Sequence, residues 1–182
     1  MVVNWLRRVR YRGQQFFAAL HARVAPAEVE SLHAVLPPAG LILFQRMPAA
    51  DQRHSLDVYH ALRSAGYRDA DLLAAALLHD VAKAGRLRIW RRVALVLLNA
   101  AAPGRRVLAR LARPAAASSW RYPFYVAVHH PALGAQQAEA AGCSARTVWL
   151  IAHHQTPPID VRGADAARLA MLQALQKVDD ER

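Results

Sequence analysis

His79 and Asp80 are the residues whose types and spacing point most directly to chemistry. They interrupt an otherwise apolar run that extends from Leu72 to Val81. A buried carboxylate costs several kcal/mol unless it is paired or bound to a cation. Imidazole and carboxylate are ordinary ligands for zinc, iron or manganese, so the pair is a candidate metal site. Alternatively, His79 caps a helix while Asp80 pairs with Lys83 or an arginine.

Other imidazoles and carboxylates lie near the predicted ends of helices along the chain. Ligands that project inward from facing helices are what a metal site inside a helical bundle requires. His60 follows His54 by about 240° around one helix, so it is interpreted as a core or surface histidine instead. The remaining candidates are His54, His129, His130, His153, His154, Asp179 and Asp180.

The elements that must position these residues are all predicted helices. The helix around the His-Asp pair is predicted over 71–85, with Asp69 or Asp71 as its N-cap and Gly85 as its stop. No strand-like alternation of useful length occurs, so the predicted fold class is an all-α bundle of about eight helices. Further segments are predicted at 26–36, 51–66, 86–102, 105–113, 118–130, 131–141, 145–154 and 163–180, with a turn of helix or buried chain at 41–44 and a stop at 37–40.

Composition limits the classes of protein to consider. A chain of 182 residues with 54% hydrophobic residues is long enough for one domain with a real core. The single cysteine, Cys143, excludes an internal disulfide and a zinc finger, and it fits a cytoplasmic location. The longest apolar run, at 93–102, is far shorter than a membrane span, and the N-terminus lacks the apolar core of a signal peptide.

The formal net charge of +11 is distributed unevenly. It comes almost wholly from arginine, and no nucleic-acid-binding motif accompanies it, so a nucleic-acid partner is not expected. Residues 1–24 predict a basic amphipathic helix that either contacts a membrane surface or docks on the domain. Between Val81 and Ala138 there is no acidic residue, while Lys83 and nine arginines are present. This stretch could lie on an anionic membrane, frame the entrance for a phosphorylated substrate, or pack on the core.

Taken together, these residues resemble a known family. His54, His79-Asp80 and Asp179 are similar in order and helical setting to the H…HD…D signature of the HD-domain metal-dependent phosphohydrolases. The run from His79 to Lys83 matches the common HDxxK form, and the resemblance covers about residues 41–182. A second layer, His130-Pro131, Gly134 and His153-His154, resembles the HP…G…HH elements of family members that hold two metals.

The resemblance implies a ligand set and a division of the chain. His54, His79, Asp80 and Asp179 would hold one metal, with Asp80 bridging to a second metal. The second metal would be served by His130, His153 and His154, with His129 as the rival of His130 and Asp180 as the rival of Asp179. The expected domains are a basic extension at 1–40 and an HD-like metal-binding domain at 41–182, with a basic inserted arm at about 86–122.

The implied activity is hydrolysis of a phosphomonoester or phosphodiester, of a nucleotide or another small phosphorylated substrate. One or two divalent ions (Fe, Mn, Zn, Mg, Co or Ni) are the expected cofactors, with Asp80 and Lys83 as the catalytic candidates. Lys83 is placed to approach the phosphate or to pair with Asp80. The alternative is a non-catalytic metal- or nucleotide-binding protein attached to an anionic membrane surface. The oligomeric state is left open.

Overall fold

The structure is a computed structural model that describes residues 23–83 and 102–181. Within these ranges the chain forms eight α-helices and no strand, which confirms the predicted all-α fold. The predicted N-terminal helix, Gly85 and the 86–101 part of the arm lie outside the described residues. The helices are α1 Pro26–Ser31, α2 Pro38–Gln45, α3 Ala49–Ser64, α4 Ala70–Leu78, α5 Ala102–Leu111, α6 Tyr122–Ala140, α7 Ala145–His153 and α8 Ala166–Glu181, with 3-10 turns at Leu32–Ala34, Val81–Lys83 and Pro158–Asp160.

Helix α4 begins as the sequence predicts and ends earlier. The Asp69 side chain caps it by accepting a hydrogen bond of 3.0 Å from the backbone N–H of Leu72. The helix ends at Leu78, and a 3-10 turn follows at Val81–Lys83, so the predicted continuation toward Gly85 is wrong. The His79 ring bonds the carbonyl of Ala76, the acceptor that a continuing helix would offer to the N–H of Asp80. His79 and Asp80 therefore lie on a turn.

Two proline positions differ from the sequence prediction. The preceding helical segment does end before the predicted stop at 37–40, but this segment also begins α2, with Pro38 in its first turn, which was not predicted. Proline is favoured there because the first N–H groups of a helix have no intrahelical acceptor. The predicted break at Pro131 is also absent, since α6 runs without interruption from Tyr122 to Ala140 with Pro131 inside it.

Helix α4 forms the centre of the bundle. Every residue from Leu72 to Leu78 is buried, and α4 packs against α2, α3, α7 and α8. Its neighbours contribute large, fully buried side chains, including Phe44, Leu56, Leu150 and Leu172. Leu32 and Leu36, which precede the expected domain boundary at residue 40, are buried in the same core cluster. The boundary itself stays a prediction.

Helix α6 lies unusually close to the turn that carries His79 and Asp80. A Cβ atom on Gly134 would stand 3.3 Å from Ile151 Cγ2 and 3.5 Å from Val81 Cγ1. The absence of a side chain at Gly134 therefore lets α6 pack tightly against α7 and the turn. At its other end α7 is joined to α4, because the Thr147 hydroxyl donates 3.3 Å hydrogen bonds to the backbone carbonyl and side chain of Asp71.

Two isoleucines provide a matched test of the core. Ile151 is fully buried on α7, whereas Ile159 is 91% exposed. We expect Ile151→Ala to lower the free energy of unfolding by about 2–5 kcal/mol, because it removes buried contacts and leaves a cavity. Ile159→Ala should change it by less than about 0.5 kcal/mol. Urea unfolding followed by circular dichroism measures both, and equal losses would contradict the packing described here.

Candidate metal centre

Helices that are far apart in sequence bring their polar side chains to one point. His54 comes from α3, His130 from α6, His154 from the end of α7 and Asp179 from α8, while His79 and Asp80 lie on the turn after α4. Two groups of these residues have potential ligand atoms that all lie within 4.8 Å of one another, and Asp80 belongs to both groups. The groups are His54, His79 and Asp80, and Asp80, His130 and His154.

The first group is extended by Asp179. Its Oδ1 atom lies 2.9 Å from His54 Nε2 and 3.4 Å from His79 Nε2. His79 Nε2 is also 3.8 Å from Asp80 Oδ1. Donor atoms that share one ion through bonds of about 2.1 Å stand roughly 3.0–3.4 Å apart, so these separations are close to those of a common coordination shell.

The second group surrounds the same oxygen of Asp80. His130 Nε2 lies 3.4 Å and His154 Nε2 3.7 Å from Asp80 Oδ1. The two Nε2 atoms are themselves 3.2 Å apart. Asp80 is therefore the one residue of the site placed to contribute to both groups, as a bridging carboxylate would.

The orientation of the three buried imidazoles has a common cause. The Nδ1 atoms of His79, His130 and His154 each lie 2.8–2.9 Å from a backbone carbonyl three residues earlier in the chain. A carbonyl only accepts hydrogen bonds, so in the neutral form of each ring Nδ1 carries the proton and Nε2 keeps its lone pair. All three lone pairs consequently face Asp80, which is the arrangement that metal-binding histidines adopt.

The carbonyls that orient these rings are available for identifiable reasons. His79 and His154 follow the last residues of α4 and α7, where terminal carbonyls lack a helical N–H donor. His130 lies inside α6, but Pro131 has no N–H to give to the carbonyl of Ala127. The His130 ring takes that carbonyl instead, at 2.9 Å. Pro131 thus creates the acceptor that positions its neighbour, and this exchange explains why α6 continues.

The buried polar atoms fit a cation. Among the described residues, His79 Nε2 is buried and has no hydrogen-bond partner, and Asp80 Oδ1 is buried and contacts only the Lys83 ammonium, at 2.7 Å, without a well-formed hydrogen bond. Leaving such an atom unsatisfied costs about 1–3 kcal/mol, and more for a charged group. The lone pairs of His130 and His154 also face each other across 3.2 Å. A divalent ion in each group would satisfy these atoms, and imidazole with carboxylate suits Zn, Fe or Mn.

Without a metal, the charges around Asp80 are strongly coupled. Burial raises the pKa of Asp80, but the positive charges of Lys83 and His79 hold that pKa well below its ordinary value. Lys83 Nζ lies 2.7 Å from Asp80 Oδ1 and donates a 2.9 Å hydrogen bond to Oδ2. Burial lowers the pKa of His79. The charge of Asp80 and the contact with Asp179 outweigh this effect and bring the pKa to about 9, above its ordinary value. A proton on His79 therefore serves as the cation of the metal-free site.

The two remaining titrating groups shift in the direction that favours metal binding. Burial, together with the charge of Lys83, lowers the pKa of His130 to about 3, so this ring is neutral near pH 7. Burial raises the pKa of Asp179, but the hydrogen bond with His54 and the contact with His79 lower it well below the ordinary value. A neutral imidazole and an ionised carboxylate are the forms that bind a metal.

Three of the sequence candidates lie away from this cluster. His153 belongs to neither group, and its ring stacks on Trp149 with centroids 4.6 Å apart. His129 is exposed, and its Nε2 lies 3.2 Å from the carbonyl of Ala112. Asp180 is exposed, whereas its neighbour Asp179 contacts two histidines. Of each pair of rivals the structure brings His130 and Asp179 to the site, and the ligand role of His153 stays a prediction. His60 is a surface residue 3.7 Å from Glu28, as interpreted.

A cavity of about 350 Å³ opens beside the candidate metal centre. His154 and Asp179 form part of its wall, so it reaches both groups of ligands. Sequence reasoning missed Gln155, Pro157 and Gln176, since glutamine and proline carry no metal-binding signal. Gln176 donates a 2.8 Å hydrogen bond to the carbonyl of Thr156 and thereby joins α8 to the segment after α7. The full lining is His154, Gln155, Pro157, Gln176, Asp179 and Asp180.

Comparison with known proteins gives no relative for this chain: no protein-family model, no curated protein and no solved structure matches it.

Metal content tests the two groups separately. We expect protein purified without chelator to carry about two divalent ions per chain, measured by plasma mass spectrometry. His79→Ala and His154→Ala each remove a nitrogen ligand from a different group, so each should lose at least one ion. His60→Ala is the matched control and should keep both. His153→Ala should also keep both, whereas a loss there would support the sequence prediction. Absence of metal under every loading condition would refute the centre.

The pKa of His79 predicts how the metal-free protein responds to pH. Because its pKa of about 9 in the folded protein exceeds the ordinary histidine value of 6.5, its proton stabilises the fold below pH 6.5, and this stabilisation is lost as pH rises through 9. In chelator, the free energy of unfolding should fall by about 1 kcal/mol per pH unit across that window. His79→Gln should flatten this slope, while His60→Gln should leave it in place. Denaturant titrations at several pH values measure it, and a wild-type slope of zero would contradict the assignment.

Proposed function

We propose that this protein is a metal-dependent phosphohydrolase acting on a small phosphorylated substrate, with a nucleotide as the first candidate. The observation that carries the proposal is the convergence of two imidazole-carboxylate groups on the single carboxylate of Asp80. Paired sites with a shared carboxylate are typical of enzymes that hydrolyse phosphate esters. The order H…HD…D in the sequence supports the same class of reaction.

The protein residues would act by binding the metal ions and fixing their positions. His54, His79 and Asp179 would hold one ion, His130 and His154 a second, and Asp80 would bridge them. Bound ions of this kind lower the pKa of a coordinated water and neutralise phosphoryl oxygens. The chain contributes fixed geometry, since backbone carbonyls orient three of the imidazoles and leave little reorganisation for binding.

Among the lysines and arginines that the structure describes, Lys83 is the one in contact with Asp80, so it is the candidate for binding the substrate phosphate. Its ammonium group contacts both oxygens of Asp80 at 2.7 and 2.9 Å, and its side chain is 21% exposed. Lys83 therefore keeps Asp80 ionised while one side of the ammonium stays accessible. A phosphoryl oxygen beside Asp80 would be within reach of the same ammonium, so we assign Lys83 to charge neutralisation of the substrate.

The cavity beside the site is of a size that can bind a small organic group attached to the phosphate. Its volume of about 350 Å³ is at the lower end of small-molecule sites. Among the described residues that line it, none is a lysine or arginine, and Gln155, Gln176 and Asp180 offer amide and carboxylate groups. Such a lining suits hydroxyl or amine groups, as in a nucleoside, better than additional phosphates.

Activity assays on matched aspartate variants test the proposal. Wild-type protein loaded with Mn²⁺ or Fe²⁺ should release phosphate from nucleoside monophosphates or simple aryl phosphates, and chelator should abolish the reaction. Asp80→Asn should reduce kcat by at least about 10³-fold, because the amide cannot bridge two cations. Asp160→Asn changes an exposed carboxylate in the same way and should keep full activity.

The alternative function gives a different result in the same assay. A non-catalytic metal-binding protein would retain its ions and show no turnover with any phosphomonoester or phosphodiester in the panel. If metal-loaded wild type is inactive and indistinguishable from Asp80→Asn, the phosphohydrolase proposal is wrong even though the metal centre stands.

A further inference from the structure

Helix α5 has two chemically distinct faces. Leu108 in α5 and Ala112 just after its end are buried, and α5 packs against α6. Arg106 and Arg110 lie one turn apart on α5 and are exposed, and Arg113, two residues beyond the helix, is exposed as well. Val107, beside this stripe, is 45% exposed. The outer side of α5 therefore combines cations with an apolar side chain and contains no acid.

The segment that joins α5 to α6 adds a large aromatic side chain. Trp120 is 66% exposed and touches the molecule through an edge-on contact with Phe124, their ring centroids 6.2 Å apart. A tryptophan with this much solvent exposure gains little of the stabilising free energy that full burial would provide. We call Arg106, Val107, Arg110, Arg113 and Trp120 the basic-aromatic face.

The arginines of this face differ from three arginines elsewhere on the described surface that are paired with carboxylates. Arg53 contacts Glu28 and Asp57, Arg146 contacts Asp69 and Asp71, and Arg168 contacts Asp165. No such carboxylate is close in sequence to the basic-aromatic face, because residues 81–138 contain none. A solvated helix face normally mixes both signs of charge. This face has one sign only, which makes it complementary to a polyanionic surface.

We propose that the basic-aromatic face binds the surface of an anionic lipid bilayer. Arginines gain free energy near anionic headgroups, and tryptophan prefers the boundary between headgroups and acyl chains. The exposed Val107 and Trp120 distinguish this face from a simple phosphate-binding surface, because both can insert among lipids. None of the helices within residues 23–83 and 102–181 has the length and hydropathy of a membrane span. The proposal goes beyond the hydrolytic function and does not depend on it.

Vesicle flotation tests the proposal on the full-length protein. Wild type should bind vesicles of phosphatidylcholine with phosphatidylglycerol, release at high salt, and bind pure phosphatidylcholine much more weakly. Replacing Arg106, Arg110 and Arg113 together with glutamine should weaken binding to anionic vesicles about 100-fold. The control replaces Arg46, Arg162 and Lys177, which are exposed elsewhere, and removes the same charge. It should weaken binding less than about threefold.

Trp120→Ser separates insertion from electrostatic attraction. It should weaken binding to anionic vesicles about tenfold and remove the quenching of tryptophan fluorescence by brominated lipid. Because Trp120 is mostly exposed, the variant should fold, which circular dichroism verifies.

Several results would overturn the proposal. Equal losses in the two triple variants would mean that net charge alone drives binding, and an unchanged Arg106, Arg110 and Arg113 variant would assign it to another segment. Equal binding to neutral and anionic vesicles would also contradict it. Tighter binding of single-stranded RNA than of vesicles, lost in the same variant, would make the face a nucleic-acid surface instead.

Discussion

The site depends on one repeated interaction, the hydrogen bond from an imidazole Nδ1–H to a backbone carbonyl three residues earlier. It fixes both the tautomer and the direction of His79, His130 and His154. Each carbonyl is one that the helix does not use itself, either at a C-terminus or before a proline. The backbone therefore positions the ligands, and the side chains need no external support to face Asp80.

This arrangement costs electrostatic free energy, because it brings two carboxylates near each other. Asp80 and Asp179 are partly buried beside the same imidazole, that of His79, and the neighbouring His54, His79 and Lys83 favour the ionised forms of the two carboxylates. A cation at the centre is thus required in some form, and a proton on His79 fulfils that need when no metal is bound. Metal binding would exchange this proton for a stronger charge, which would link the occupancy of the centre to pH.

Much of this organisation could be predicted from the sequence. Helical periodicity and proline or glycine punctuation gave the all-α fold, and the residue types of His54, His79, Asp80, His130, His154 and Asp179 identified the cluster. The histidine doublets were ambiguous because adjacent helical residues point about 100° apart, so only one of each pair faces inward. The unbroken α6 was missed because a ring, not an N–H, occupies the carbonyl that Pro131 frees. The cavity lining was missed because amides acquire meaning only through their position.

The ligands come from almost the whole length of the described chain. His54 and Asp179 are 125 residues apart in sequence yet 2.9 Å apart in space. Closing so long a loop is entropically costly, and a non-local contact of this kind forms only when the rest of the topology is in place. The centre is consequently absent from partly folded chains. An ion bound there would stabilise the native topology, and its free concentration would set how strongly the segments around His54 and Asp179 are held together.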